Sequence, residues 1–267
     1  MRQKINNITL SSVSITAKRI FEDGTEVGTS FMSGCFWYHE DKTYLITSWH
    51  NVTGKNPETD ENIGGFCPNK FFLKFKYLIP KEEQGVNDVL EAKREIDLFN
   101  ENLEPFWIEH PTGKQVDIVA IPLNIKLPKE AIINHINDQD YVKDWFPKIG
   151  NDCFIIGFPE GISGPLNTPI WKRGSVATPP LLDYDDKPVF LLDTIGNSGL
   201  SGAPVIGNGN GVFEKNNKKK ITANTIIGSW NNFVGIYAGR LSKTGIGSQL
   251  GRVWKSHLIS EILENVK

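Results

Sequence analysis

The sequence has few of the features that mark secreted, membrane-bound or metal-dependent proteins. Its three cysteines, Cys35, Cys67 and Cys153, form neither a CxxC motif nor a zinc-binding pattern. No apolar run approaches the roughly 18 residues that a transmembrane helix needs. The N-terminal segment MRQKINNITLSSVSITAKRIF lacks the continuous apolar core of a secretory signal. We therefore expect reduced thiols, no metal, no membrane contact and a cytoplasmic location.

The chain also has little net charge. Its 29 Lys and Arg residues nearly balance 31 Asp and Glu residues, which gives a formal charge of -2 at pH 7. No global basic field is available to attract nucleic acid, so we expect no nucleic-acid partner. The stretch 207–220 predicts a surface loop, whose lysine cluster would be a solvated hairpin tip. A hydrophobic content of 39% is typical of a folded chain with a substantial core.

Strand signals dominate the rest of the sequence. Short runs rich in β-branched and aromatic residues, such as TYLITSW and CFIIGF, are separated by Gly, Pro, Asn and Asp clusters. This pattern predicts a mostly β chain built as a barrel or sandwich, in one or two domains. The last segment instead has an apolar stripe at helical spacing, which predicts a C-terminal helix. The stripe consists of Trp254, Leu258, Ile259, Ile262, Leu263 and Val266.

Three local contexts carry residues suited to nucleophilic chemistry, in the order His, Asp, Ser. In LITSWHNV, a predicted strand ends at Ser48 and is followed by His50. In VDIVAI, Asp117 opens an apolar strand. In GLSGAPV, Ser201 lies in a glycine-rich turn before another strand.

These residue types complement one another chemically. A serine hydroxyl is a weak nucleophile and needs a base, which histidine supplies because it titrates near neutral pH. A carboxylate on the other ring nitrogen fixes the tautomer and stabilises the imidazolium. Negative charge on the reacting carbonyl needs preorganised N–H donors, which the backbone of Gly199 and Ser201 could provide. This chemistry requires no cofactor.

The ordered set resembles the trypsin-like (chymotrypsin-fold) serine peptidases. LITSWHNV, VDIVAIPL and GLSGAPV are similar to the segments that carry His, Asp and Ser in that family. CFIIGFPEG, IWKRGSV and FVGIYAGR resemble later segments of its bacterial-type members. The resemblance runs from about residue 28 to the C-terminus. It implies a serine endopeptidase with His50, Asp117 and Ser201 as catalytic residues, Gly199 and Ser201 as the oxyanion hole, and protein or peptide substrates.

The resemblance also implies an architecture. We expect one peptidase unit over residues 1–267, made of two six-stranded antiparallel β-barrels and a C-terminal helix. The first barrel would span about 8–125 and the second about 148–250, with the helix over 252–266. The sequence departs from the family at two points: Ala203 replaces the usual Ser or Gly, and Asn51 stands where secreted members place the cysteine that pairs with the position of Cys35. The second departure argues against secretion.

The substrate pocket is inferred from the same resemblance. The residue six positions before the nucleophile, Ile195, would lie at the pocket floor, and an apolar floor disfavours cleavage after Arg or Lys. A shift of two residues would put Asp193 there and reverse that inference. Tyr237, Ala238 and Gly239 are expected to contact the substrate.

Alternatives remain at each position and for the function. Ser198, in a Gly-Asn-Ser-Gly tetrapeptide, competes with Ser201, while Asp97 and Asp193 are substitutes for Asp117. A latent or inactive protease-fold protein that binds peptides or a regulatory partner would share the same sequence features. An α/β-hydrolase esterase is disfavoured because its Gly-x-Ser-x-Gly motif is absent around either serine and its catalytic order begins with Ser.

Overall fold

The computed structural model describes residues 5–80, 87–125, 130–142, 145–214, 225–242 and 244–264. These residues form two antiparallel β units followed by a short helix. Residues 207–214 of the predicted surface loop belong to a strand instead, and its lysine-rich end, 215–220, lies outside the described residues. In the part of the chain described, no helix has both the length and the apolar character to cross a membrane.

The first unit is an antiparallel sheet with the strand path β5-β4-β1-β2-β3-β7-β6, in which β8 pairs with β4. Alternate side chains of its central strands face opposite cores, as the two-residue period of a strand requires. In β3, for example, Leu45 packs into a core on one side of the sheet, while Tyr44 and Ile46 pack on the other side. The elements of this unit are α1 (Asn7–Ser11), β1 (Ser12–Ile20), β2 (Glu26–His39), β3 (Lys42–Thr47), α2 (Trp49–Thr53), β4 (Lys70–Pro80), β5 (Asn87–Asp97), β6 (Ile108–Glu109), β7 (Val119–Pro122) and β8 (Ala131–Ile132).

The second unit is a closed six-stranded barrel with the order β10-β11-β14-β13-β12-β9. Closure gives each of the six strands a neighbour on both sides over part of its length. The interior is filled by apolar side chains from all parts of the barrel, including Phe190, Val205 and Val253. The elements are β9 (Asp152–Gly157), β10 (Ile170–Val176), β11 (Val189–Asp193), β12 (Pro204–Glu214), β13 (Thr225–Arg240), β14 (Leu250–Lys255) and α3 (His257–Leu263).

The predicted fold class is confirmed. The chain is mostly β, with a closed six-stranded barrel, a second antiparallel sheet and a C-terminal helix, consistent with the chymotrypsin-like fold. The first unit differs from the predicted six-stranded barrel. Among the described residues it is a sheet of eight paired strands that does not close, because its end strands β5 and β6 pair only with β4 and β7.

The C-terminal helix is shorter than the predicted 252–266. It begins at His257, because residues 250–255 instead form β14, which pairs with β11 on one side and β13 on the other. Trp254 therefore belongs to a strand, although its spacing fits the helical stripe. The predicted stripe residue Val266 lies outside the described residues.

A shared apolar core joins the two units. It combines Ile46 of β3 and Ala120 of β7 with Leu191 of β11, Ile206 of β12 and Ile259 of α3. All five side chains are at most 2% exposed. This packing holds the ends of β3 and β7 against the barrel, and the candidate site is built at that junction.

Candidate active site

The strand pairing of the first unit brings His50 and Asp117 together. β3 and β7 are antiparallel neighbours, with Thr47 opposite Val119. The chain leaving β3 therefore lies beside the chain entering β7. His50 is in α2, which follows β3 directly, and Asp117 comes two residues before β7. Positions far apart in sequence thus become neighbours through one strand pair.

Two hydrogen bonds link His50 to Asp117. The carboxylate oxygen Oδ2 lies 2.7 Å from the ring Nδ1, and Oδ1 accepts the His50 backbone N–H at 2.9 Å. Asp117 is 3% exposed. Because the carboxylate is an acceptor, it favours the tautomer that carries the proton on Nδ1. The other nitrogen, Nε2, is then the basic one.

The sequence interpretation missed a second contact that supports this arrangement. Glu109, at the end of β6, accepts hydrogen bonds on Oε1 from the indole of Trp49 at 2.8 Å and from that of Trp107 at 3.0 Å. Trp49 is the residue before His50, so Glu109 connects the helix that carries His50 to the neighbouring strand. The acidic residue and two tryptophans were visible in the sequence, but no local pattern linked them.

Ser201 lies in a turn that needs glycine on both sides. Gly199 and Gly202 have φ of +89° and +86°, in the region that L side chains rarely adopt. A Cβ at Gly199 would also lie 2.5 Å from the Phe158 carbonyl oxygen, and one at Gly202 would lie 2.2 Å from the Ser33 carbonyl oxygen. The two glycines are therefore required by both conformation and space.

The turn leaves two backbone donors unused. Among the described residues, the N–H groups of Gly199 and Ser201 have no hydrogen-bond partner, whereas the N–H of Gly202 donates to the Tyr237 carbonyl at 2.8 Å. A pair of free amides beside a serine hydroxyl can stabilise an oxyanion. Gly199 is buried and Ser201 is partly exposed, so a substrate can reach the hydroxyl.

Side chains of the first unit hold this turn in place. The Ser201 carbonyl accepts from the Ser33 backbone N–H and from Asn51 Nδ2, both at 3.0 Å. The Ser33 hydroxyl donates to the Gly199 carbonyl at 2.7 Å and accepts from the Phe158 N–H at 2.9 Å. Asn51 directly follows His50, so these contacts, which we call the Ser33–Asn51 bridge, couple the helix that carries His50 to the turn that carries Ser201.

The Ser33–Asn51 bridge was not anticipated from the sequence. In the sequence, Asn51 differs only from the cysteine that is usual at that position in the secreted peptidases that the sequence resembles. The structure gives the asparagine its own role, because its amide also donates to the Thr47 hydroxyl at 2.9 Å.

The alternative residues lie in other surroundings. Ser198 is exposed, and its carbonyl accepts from the Glu160 N–H at 2.7 Å. Asp97, at the exposed end of β5, pairs with Lys70 at 2.8 Å. Asp193 is exposed at the end of β11. None of the three contacts His50 through a hydrogen bond in the described part of the chain.

The expected pocket residues divide into two groups. Ile195 is 63% exposed, so its side chain does not form an enclosed apolar floor. Tyr237 and Ala238 are buried and Gly239 is half-buried. A Cβ built on Gly239 would lie 3.8 Å from Ser201 Oγ, which places this end of β13 next to the hydroxyl.

The three cysteines take no part in these contacts, and the described residues contain no metal-binding cluster. All three cysteines are unpaired, and burial raises the pKa of Cys153 to about 12 and that of Cys35 further. Within the described ranges, no group of three or more His, Cys, Asp or Glu side chains is arranged to hold a metal ion.

Comparisons with known proteins add little to this geometry. No family model matches the chain. No curated protein matches it. Among solved structures, it is similar to a thermostable serine protease, AL20, from an extremophilic microorganism, with 12% identity and a TM-score of 0.47. The match covers 96% of this chain and 97% of the other.

Proposed function

We propose that the protein is a bacterial-type serine endopeptidase in which His50, Asp117 and Ser201 form the catalytic triad. The observation that carries the proposal is the two-point hydrogen bonding of His50 to the buried Asp117, next to a serine turn with two free amides. Residues 1–267 would act as one peptidase unit on protein or peptide substrates. We place it in the cytoplasm, where a regulatory partner could restrain it.

In the proposed reaction, Ser201 Oγ attacks the scissile carbonyl while His50 Nε2 takes the hydroxyl proton. Asp117 stabilises the imidazolium, and the N–H groups of Gly199 and Ser201 bind the oxyanion. His50 then gives the proton to the leaving amine, which departs as the C–N bond breaks. Water attacks the resulting acyl-enzyme, with His50 taking its proton and returning one to Ser201.

A fluorophosphonate probe tests the proposal at the reacting atom. We expect labelling of the wild type and of Ser198→Ala, the matched serine control in the same turn, and no labelling of Ser201→Ala. Turnover of any peptide found in a library screen should fall on the order of 10⁶-fold in Ser201→Ala. Labelling that persists in Ser201→Ala, or disappears only in Ser198→Ala, would contradict the assignment.

One observation favours the second candidate, a latent or inactive protease-fold protein that binds peptides or regulates a partner. Within the described residues, the Ser201 hydroxyl makes no hydrogen bond to His50. Nucleophile–base contacts are often looser without substrate, so the first candidate requires this hydrogen bond to form when substrate binds. A folded wild type that binds peptides but is neither labelled by the probe nor able to cleave them would favour the second candidate.

A further inference from the structure

The hydroxyl of Tyr237 is a buried polar group that the proposed reaction does not use. The side chain is 0% exposed, and its Oη has no hydrogen-bond partner among the described residues. Burial raises the pKa of Tyr237 to about 12, against the opposing effect of Arg240 and Arg252. Such orphaned groups are rare in proteins because they lose hydration without compensation. The position of this ring therefore needs an explanation.

Two glycines make room for the ring. A Cβ on Gly196 would lie 1.9 Å from Tyr237 Oη, and a Cβ on Gly251 would lie 2.5 Å from the ring carbon Cε2. Gly196 precedes the serine turn and Gly251 is in β14, so the ring lies between these two segments. The adjoining side chain of Thr194 is 6% exposed, and its Cγ2 would be 3.1 Å from the Gly251 Cβ. The phenol thus fills the space between the segment before Ser201 and the start of β14.

This space adjoins the end of β13 that lies beside Ser201. β12 begins at Pro204, which pairs with Ile236, so beyond Tyr237 no described strand lies on that edge of β13. Gly239, in this free stretch, lies close to Ser201, since a Cβ built on it would be 3.8 Å from Ser201 Oγ. A peptide added to the free edge as an antiparallel strand would present its reacting carbonyl to Ser201. The adjacent side chain, on the acyl side of the scissile bond, would point between β13 and the segment around Gly196.

We propose that the Tyr237 ring occupies the pocket for this residue, so that the enzyme accepts Gly, Ala or Ser at the acyl side of the cleaved bond and rejects larger residues. This inference rests on the proposed peptidase function. A tightly packed site has no volume for an added side chain unless neighbouring groups move. We expect a preference on the order of 100-fold in rate for Ala over Phe at this position.

Two peptidyl diphenyl phosphonates that differ only in carrying Ala or Phe at the acyl-side position provide the test. Their rates of Ser201 modification are followed by mass spectrometry. We expect the wild type to react with the Ala compound about 100-fold faster. Tyr237→Ala should lower this ratio at least about tenfold by opening the pocket, whereas Tyr237→Phe, which removes only the hydroxyl, should retain it. Equal rates in the wild type, or an unchanged ratio in Tyr237→Ala, would overturn the inference.

A fluorophosphonate without an amino-acid side chain separates this inference from the proposed function. If that probe fails to label the folded wild type, the peptidase proposal fails and the pocket inference falls with it. If the probe labels Ser201 but the Ala and Phe phosphonates react equally, only the pocket inference fails. If Tyr237→Ala shows no cooperative thermal unfolding transition, the experiment uses Tyr237→Leu instead. The ratio of the Ala to the Phe phosphonate rate in Tyr237→Leu must then be lower than in the wild type.

Discussion

The two β units contribute to the candidate site in different ways. The open sheet supplies side chains at strand ends, His50 and Asp117, whose relative position follows from the pairing of β3 with β7. The closed barrel supplies a turn whose chemistry lies largely in its backbone, through the φ values around Gly199 and Gly202. A base and its carboxylate therefore depend on strand register, whereas an oxyanion site depends on the conformation of a few peptide units.

The two contributions meet at the Ser33–Asn51 bridge. Ser33 belongs to the sheet, yet its backbone and hydroxyl contact both carbonyls of the serine turn, those of Gly199 and Ser201. Asn51 adds a bond from the helix that carries His50. We therefore expect two kinds of substitution in the sheet to lower kcat. Those at His50 or Asp117 should impair proton transfer, and those at the Ser33–Asn51 bridge should displace the serine turn.

The largest effect in the sheet is expected at Asp117. Asp117→Asn removes the negative charge and replaces an acceptor with an amide that can stabilise the wrong histidine tautomer. We expect kcat to fall on the order of 10⁴-fold, with the fold retained. The kinetics of peptide cleavage check the expectation, and Asp97→Asn serves as the matched exposed control. Equal losses in both variants would contradict a specific role for Asp117.

A smaller effect is expected at the bridge. Ser33→Ala leaves the buried Gly199 carbonyl and the Phe158 N–H without their shared hydroxyl. We expect the free energy of unfolding to fall by about 1–3 kcal/mol. The value of kcat should fall roughly 10- to 100-fold, with KM changing less, because the turn is displaced rather than the substrate pocket.

Chemical denaturation and steady-state kinetics measure the two quantities separately. Ser14→Ala is the control, since Ser14 is also a buried serine of the sheet but takes no part in the bridge. A loss of stability without a change in kcat would reduce Ser33 to a purely structural residue.

The smallest effect on activity is expected from modifying the cysteine thiols, since the thiols of neither unit take part in the candidate site. Cys35 and Cys153 are 0% exposed, and burial raises the pKa of Cys153 to about 12. Below that pH the thiol form dominates, and the thiolate is the reactive species. We expect iodoacetamide at pH 8 to modify only the partly exposed Cys67 in the folded protein, without loss of activity. Mass spectrometry should find all three modified after unfolding, and rapid modification of Cys153 in the folded state would contradict this packing.

Much of the fold class could be predicted because it depends on local patterns. Alternating apolar runs with glycine and proline breaks gave a mostly β chain, and strand ends with His50 and Asp117 were recognisable in short segments. The first residue of the C-terminal helix was harder to predict. The stripe from Trp254 onward satisfies helical spacing, but pairing with β11 and β13 keeps residues 250–255 extended. The hydrogen bonds to these two strands therefore decide the conformation of residues 250–255, although the spacing of the apolar residues is that of a helix.

The remaining features could not be predicted because they exist only after the units pack together. Ser33 and Asn51 contact the serine turn across more than one hundred residues of sequence. The Tyr237 ring lies against Gly196 and Gly251, which are brought together only by the fold. The irregular pairing of β13 with β14 between Tyr237 and Arg240 is likewise not revealed by composition. Ile195 follows the end of β11 and is exposed, although its offset from Ser201 indicated a pocket floor.

The most direct test of the account is whether the sheet activates the nucleophile of the barrel. We would measure the second-order rate constant for fluorophosphonate modification of Ser201 in the wild type and in His50→Ala, with His39→Ala as the control on the same sheet. The account predicts a loss of several orders of magnitude in His50→Ala and little change in His39→Ala, with both variants folded. Equal rates in the wild type and His50→Ala would show that Ser201 reacts without the base, and would contradict the division of roles between the two units.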